Sequence, residues 1–202
     1  MTIWRGEQPL ILASQSAARK MLLKNAGIAF EAIPADIDER EIQQASGMAT
    51  AGDIAAMLAE RKAAFVSLRH LNRYVVGADQ TLALGTQVFN KPASRVEAAD
   101  QLRALAGKTH ALHSATAVVC DGATLFSDVS VAHMTMRALD DAAIDAYLDA
   151  AGDAVSSSVG GYQLEGLGVH LFELIEGDHF TILGLPLLPL LKFFRGDGMV
   201  GI

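Results

Sequence analysis

The run Pro9-Leu-Ile-Leu-Ala13, followed by Ser14-Gln-Ser16 and then by a stretch carrying Arg19, Met21, Leu22 and Leu23, sets the fold class. A short apolar run between polar residues reads as a buried strand. The residues after the serines read as a helix, stopped by Gly27. Further along, residues 30–34 read as a second strand leading into an acidic loop, Asp36-Ile-Asp38-Glu39. Asp53 is placed to cap a helix carrying Ile54, Met57, Leu58, Lys62 and Phe65. Tyr74-Val-Val-Gly-Ala78 repeats the buried-strand pattern and ends on Asp79.

The second half continues the alternation. Ser94-Arg-Val-Glu97 is a capping box that opens a helix closing at Gly107. Residues 116–120 and 125–135 are β-rich runs around Asp121-Gly122, a hairpin turn signal. Asp140 caps a helix over 142–151, ended by Gly152. A glycine-rich stretch, 160–168, precedes an apolar strand over 169–175, and a last amphipathic helix starts near Pro186. Alternating strands and helices with an added hairpin predict an α/β protein with a mixed sheet. Neither an internal repeat nor a low-complexity linker is visible, so 1–202 is expected to be a single domain.

Composition narrows the function classes. A chain of 202 residues, 51% hydrophobic and 19% charged, has enough apolar material for a real core and is not disordered. Sixteen Lys plus Arg against twenty-three Asp plus Glu leave a net charge of −7. Such a chain has no general attraction for nucleic acid backbones or anionic membranes, so a polyanionic ligand needs a local basic pocket, with a divalent metal beside it. The single cysteine, Cys120, excludes an internal disulfide framework and a multi-cysteine metal site. No secretory signal is visible at the start, and the most apolar stretch, 182–194, is too short to span a bilayer and holds Pro186 and Pro189. The expectation is a soluble cytoplasmic protein.

Several familiar motifs fail. Gly107-Lys108-Thr109 lacks the glycine five residues earlier that a phosphate-wrapping loop needs; Leu102 stands there. Gly166-Leu-Gly168 meets Leu171 where a dinucleotide fingerprint requires its third glycine. His110 and His113 are spaced like metal ligands, but a structural role in a strand is the favoured reading.

Three features do suggest phosphate chemistry. The serines before the first helix, with Arg19 and Lys20 in its first turns, combine hydroxyls, free N–H groups and a guanidinium. Asp79, at the end of a buried strand, suits a general base or metal ligand, and Lys62 and Lys91 lie on either side in sequence. Asp36, Asp38 and Glu39 offer hard oxygens for Mg²⁺ or Mn²⁺. Each has a plainer alternative: a helix-capping serine with a solvated arginine, a turn-capping aspartate, a solvated acidic loop.

Taken in order, these segments resemble the Maf family of nucleoside triphosphate pyrophosphatases. Leu10-Ile-Leu-Ala-Ser-Gln-Ser16 with Arg19-Lys-Met-Leu-Leu23 is similar to the family's S-x-S-P-R-R segment. Asp36-Ile-Asp38-Glu39, Leu58-Ala-Glu-Arg-Lys-Ala63, Val76-Gly-Ala-Asp79, Lys91-Pro92 and Leu105-Ala-Gly-Lys-Thr-His110 follow its later motifs. Gly161-Tyr162, Glu165-Gly-Leu-Gly168, Ile175-Glu-Gly-Asp178 and Gly184-Leu-Pro186 resemble its C-terminal signature. The resemblance implies an elongated mixed sheet with flanking helices and two lobes around a nucleotide-binding cleft, similar to inosine-triphosphate pyrophosphatases. It implies hydrolysis between the α and β phosphates with a divalent cation, and a homodimer is common in the family. Asp79 would be the general base, Ser14, Arg19, Lys62 and Lys91 would hold the triphosphate, and Glu39 would position the metal or attacking water.

The chain departs from the pattern at Ala17-Ala18, where the family has a Pro-Arg pair. Specificity in the family varies at the positions of Ala18, Gln80 and Glu165, and the last two match the group favouring 7-methyl-GTP. The chemistry agrees, because an ionised glutamate only accepts hydrogen bonds and guanine offers two donors on its Watson–Crick edge. The pyrimidine edges of uracil and thymine offer one donor between two acceptors, which suits a glutamine better. The other functional reading is a nucleotide-sensing regulator of septum formation with weak turnover. A nucleic-acid-binding module is disfavoured by the charge.

Overall fold

The computed structural model describes residues 3–201 and resolves the chain into two compact units. The first takes in the chain up to Gln80, Ser114–Ser130 and everything from His179 on. The second comprises Thr81–His113 and Val131–Asp178. Among the described residues the sheet is seven-stranded and mixed, in the order β2 (Phe30–Ala32), β1 (Leu10–Leu12), β3 (Val75–Leu84), β5 (Thr109–Cys120), β6 (Ala123–Met136), β7 (Phe172–Glu176), with β4 (Gln87–Phe89) on β3.

In the first unit, β1 (Leu10–Leu12) pairs in parallel with β2 (Phe30–Ala32) and with β3 (Val75–Leu84). Every residue of β1 is buried, as a strand covered on both faces requires. Leu10, Leu12, Val76 and Ala78 face one way, toward α1 (Ala17–Asn25) and α7 (Leu187–Gly196). Ile11, Ala13 and Val75 face the other way, toward α3 (Ala51–Ser67). This odd–even division is the strand's period of two applied to a three-layer packing. Leu187, Leu190 and Phe194 of α7 are buried, so that helix packs into the core. Trp4, Tyr74 and Phe194 close one end with three edge-to-face ring contacts.

The α3–β3 contact is unusually close. Ala55, Ala59 and Ala63 recur every fourth residue on the buried face of α3, and Ala59 and Ala63 meet β3 at Gly77. A Cβ on Gly77 would stand 2.9 Å from the Ala63 nitrogen and nearer still to the Ala59 carbonyl oxygen. The side-chain-free position therefore lets helix and strand backbones touch.

In the second unit, the later part of β3 turns back into β4 (Gln87–Phe89). Next come α4 (Arg95–Leu105) and, at the end of β6 (Ala123–Met136), α5 (Asp141–Ala151), capped by Ser94 and Asp140 as read from the sequence. The hairpin that joins β5 (Thr109–Cys120) to β6 through Asp121 and Gly122, both at positive φ, 51° and 78°, belongs to the first unit. β7 (Phe172–Glu176) pairs antiparallel with β6.

Five expectations change. Asp79 is the fifth residue of a ten-residue strand and not its end. The polar Asp79-Gln80-Thr81 triplet looks like a stop, but the strand continues because its side chains find partners. Thr50, not Asp53, caps α3; its Oγ1 accepts the Asp53 N–H, and its hydroxyl donates to the Asp53 carboxylate at 2.6 Å. Glu39 opens a helix, α2 (Glu39–Ser46), whose N-cap is Asp38, where an acidic loop was expected. Residues 167–171 form a tight 3₁₀ turn, so the following strand starts at Phe172 and not at Val169. A one-turn helix, α6 (His179–Ile182), precedes α7. No helix among the described residues is long and apolar enough to cross a membrane.

Candidate active site

Lys62 occupies a slot on the buried face of α3, one turn beyond Leu58 and beside Ala63, and is itself buried. A lysine there needs a charge partner, since an unpaired buried ammonium is costly. It has two. Its Nζ lies 2.6 Å from Asp79 Oδ1 and 2.9 Å from Glu39 Oε1. The Gly77 contact brings this part of α3 against β3, and the alternation of β3 turns Asp79 toward the helix. Asp38 capping starts α2 where Glu39 can reach across.

Arg19 completes the group from α1. Its Nε donates to the Gly184 carbonyl at 2.7 Å, and its Nη1 donates to the Ala78 carbonyl at 2.8 Å and to Ser14 Oγ at 3.2 Å. Burial pushes the guanidinium pKa down, and the negative charges of Asp79 and Glu39 pull it back up. Ser14 Oγ also accepts the Ser16 N–H, while Ser16 caps α1 by accepting from the Arg19 N–H. Two cations and two carboxylates thus share one corner of the first unit, together with the Ser14 loop. Asp36 and Asp38 do not join Lys62; Asp38 is spent on the Glu41 N–H.

Four of the other expected positions have different surroundings. Ala18 packs against the apolar cluster around α1 and α7. Lys91 and Glu165 belong to the second unit, where both side chains are exposed, Glu165 in the turn between Gln163 and Gly168. Gln80 faces away from Asp79 and gives its amide nitrogen to Ser114 Oγ and to the carbonyls of Thr181 and Ile182. Ser114 and the Gly184 carbonyl were not anticipated. A serine inside a β-rich run carries no signal, and a carbonyl acceptor is invisible in side-chain chemistry.

A divalent cation can be tested against this donor set. Among the described residues no group of three or more His, Cys, Asp or Glu side chains is arranged to hold a metal. Glu39 and Asp79 nevertheless present hard carboxylate oxygens to the same ammonium. Mg²⁺ is commonly held by one or two carboxylates, with substrate phosphates and water supplying the rest. The two residues fit that pattern.

Residues 9–196 match the family described as Maf-like protein. The chain belongs to the Maf family. It is 65% identical over 202 residues to a nucleoside triphosphate pyrophosphatase of Rhodopseudomonas palustris, covering all of both chains. Its identity to the protein of that name from Bradyrhizobium diazoefficiens is 63%, again over the whole of both. A 7-methyl-GTP pyrophosphatase of Brucella abortus is 52% identical over 191 residues, 93% of this chain and 96% of the relative.

The second unit has a buried pair of its own on two segments that resemble Maf motifs. His110 Nε2 lies 2.6 Å from the Tyr162 hydroxyl, while His110 Nδ1 has no hydrogen-bond partner among the described residues. An imidazolium must donate from both nitrogens, so this setting keeps the ring neutral. Burial lowers the His110 pKa from 6.5 to about 4, and it raises that of Tyr162. A depressed histidine pKa means that the unfolded chain takes up the proton first. The stabilising contribution is therefore complete above pH 6.5 and is lost as pH falls to about 4. Between pH 7 and pH 4 the wild-type protein should lose about 3 kcal/mol more unfolding free energy than His110→Gln. Urea titrations at both pH values measure this; equal pH dependence in the two proteins would contradict it.

Proposed function

We propose that this chain hydrolyses nucleoside triphosphates to the monophosphate and pyrophosphate. The observation that carries the proposal is the buried Asp79–Lys62 pair, with Glu39 on the same ammonium and Arg19 beside it, in a chain of the Maf family. Hydrolysis of a phosphoanhydride needs charge neutralisation and an aligned water more than a covalent nucleophile. Asp79 accepts the proton of a water whose oxygen attacks the α phosphorus, and the bond to the β-phosphate oxygen breaks. Lys62 orients that carboxylate through its 2.6 Å contact to Oδ1. Arg19, Ser14 and Lys91 hold the phosphate chain; among the hydrogen bonds Arg19 makes to the described residues, none uses Nη2, which leaves that nitrogen for a phosphate oxygen. Glu39 and Asp79 would hold a Mg²⁺ or Mn²⁺ ion, which when bound neutralises phosphate charge.

The test is to incubate the protein and a divalent cation with dTTP, UTP, CTP, GTP, ATP and 7-methyl-GTP. Pyrophosphate and monophosphate should appear in equal amounts. Orthophosphate with a nucleoside diphosphate would mean attack at the γ phosphate and would overturn the reading.

The base preference we propose is for guanine, and for 7-methylguanine above all. Glu165 can only accept hydrogen bonds, which matches N1–H and N2–H₂ of guanine, and the carboxylate also favours the positive charge of the methylated ring. Glu165→Gln should narrow the kcat/KM ratio of 7-methyl-GTP over UTP by about tenfold, the value of one misplaced polar contact. An unchanged ratio would remove Glu165 from base recognition.

A further inference from the structure

Gln80 and Ser114 form a second polar cluster, on the face of β3 opposite Asp79. Ser114 is fully buried on β5. Gln80 Nε2 donates to Ser114 Oγ at 2.8 Å, to the Thr181 carbonyl at 3.1 Å and to the Ile182 carbonyl at 3.0 Å. Ser114 Oγ in turn donates to the Thr181 carbonyl at 2.7 Å. Two backbone carbonyls can only be met by the amide nitrogen, so the side chain has one orientation. Both carbonyls belong to α6, and the turn that ends α6 is Gly184, at φ +82° with its N–H on the Thr181 carbonyl. The Gly184 carbonyl is the acceptor of Arg19 Nε. A Cβ on Gly184 would lie 3.3 Å from Arg19 Nη2 and 3.7 Å from Gln80 Cδ. The arginine and the glutamine hold one glycine turn between them.

We infer that Ser114 and Gln80 are positioning residues for Arg19. They tie the α6 turn to the sheet, and the turn's last carbonyl sets the plane of the guanidinium. The Ala78 carbonyl and Ser14 Oγ hold Nη1, but an anchor at that one nitrogen leaves a planar group free to swing. With both anchors in place Nη2 points one way only, which preorganises it for an anion. Gln80 thereby acts on the phosphate end of the substrate and not on the base. This inference rests on the reading of Arg19 as a triphosphate ligand.

The experiment is a double-mutant cycle read in KM and kcat with GTP and UTP. Arg19→Ala should raise KM about a hundredfold. Ser114→Ala should raise KM about tenfold for both nucleotides alike, with kcat within about twofold, and Gln80→Leu should do the same. In the Arg19→Ala background, Ser114→Ala should add nothing further. If Ser114→Ala multiplies KM by the same factor with and without Arg19, the coupling does not exist. A KM defect confined to one base would return Gln80 to base reading and also overturns the inference. An unchanged KM in Arg19→Ala would instead sink the underlying assignment of Arg19. Melting curves of each variant separate these outcomes from unfolding, because a purely structural loss lowers the melting temperature without sparing kcat.

Discussion

Asp79→Asn should lower kcat for pyrophosphate release by about a thousandfold and leave KM within a few-fold of wild type. Asparagine keeps the shape of the side chain and its place on β3 but takes up no proton. Lys62 retains its 2.9 Å contact to Glu39, so the variant does not leave a buried ammonium alone. The fold should survive, and the melting temperature serves as the control. Steady-state assays of pyrophosphate and monophosphate give both parameters. A kcat within tenfold of wild type would show that another group takes the proton.

Gly77→Ala should do more, through packing alone. The new methyl meets the Ala59 carbonyl and the Ala63 nitrogen, and both obstacles are helix backbone. No side-chain rotation relieves such a clash, so α3 has to withdraw from β3. Core overpacking costs 1–3 kcal/mol when side chains can yield, and more when the backbone must move. We expect at least about 4 kcal/mol, a fall in melting temperature of roughly 10 °C or more. Lys62 rides on the same helix, so its contact to Asp79 opens as the helix retreats. Activity measured well below the melting temperature should therefore fall too, far from any substituted charge. A melting temperature within about 3 °C of wild type would contradict the close-contact account.

The parts of this fold that were legible are those with strong local chemistry. Residues 9–23 announce a strand, a capped turn and a helix within fifteen positions, and Asp121-Gly122 announces its hairpin. α2 was missed because Glu39–Ser46 buries nothing and is polar almost throughout, so no apolar stripe marks it. The true length of β3 was hidden by Gln80 and Thr81; Gln80 is tolerated there through partners drawn from distant residues, Ser114 and α6. The same distinction runs through the site. Asp79 could be named because a carboxylate closing a buried-strand pattern stands out, and Lys62 because the family resemblance pointed to it. Their mutual contact could not, nor could Gly77 be seen as the residue that permits it, although a glycine inside a strand pattern was a usable signal. Ser114 gave none at all.

The contact between Arg19 and the Gly184 carbonyl spans 165 positions of the chain. A ribosome adds roughly 5–20 residues each second. Asp79 and Lys62 are thus made early and wait several seconds for the carbonyl that orients their neighbouring arginine. The first unit is assembled from the chain's beginning, a middle segment and its end. A chain that stops short of Gly184 therefore carries Asp79 and Lys62 without the carbonyl that orients Arg19. On the proposed role of Arg19, a product that stops short of Gly184 is an inert one.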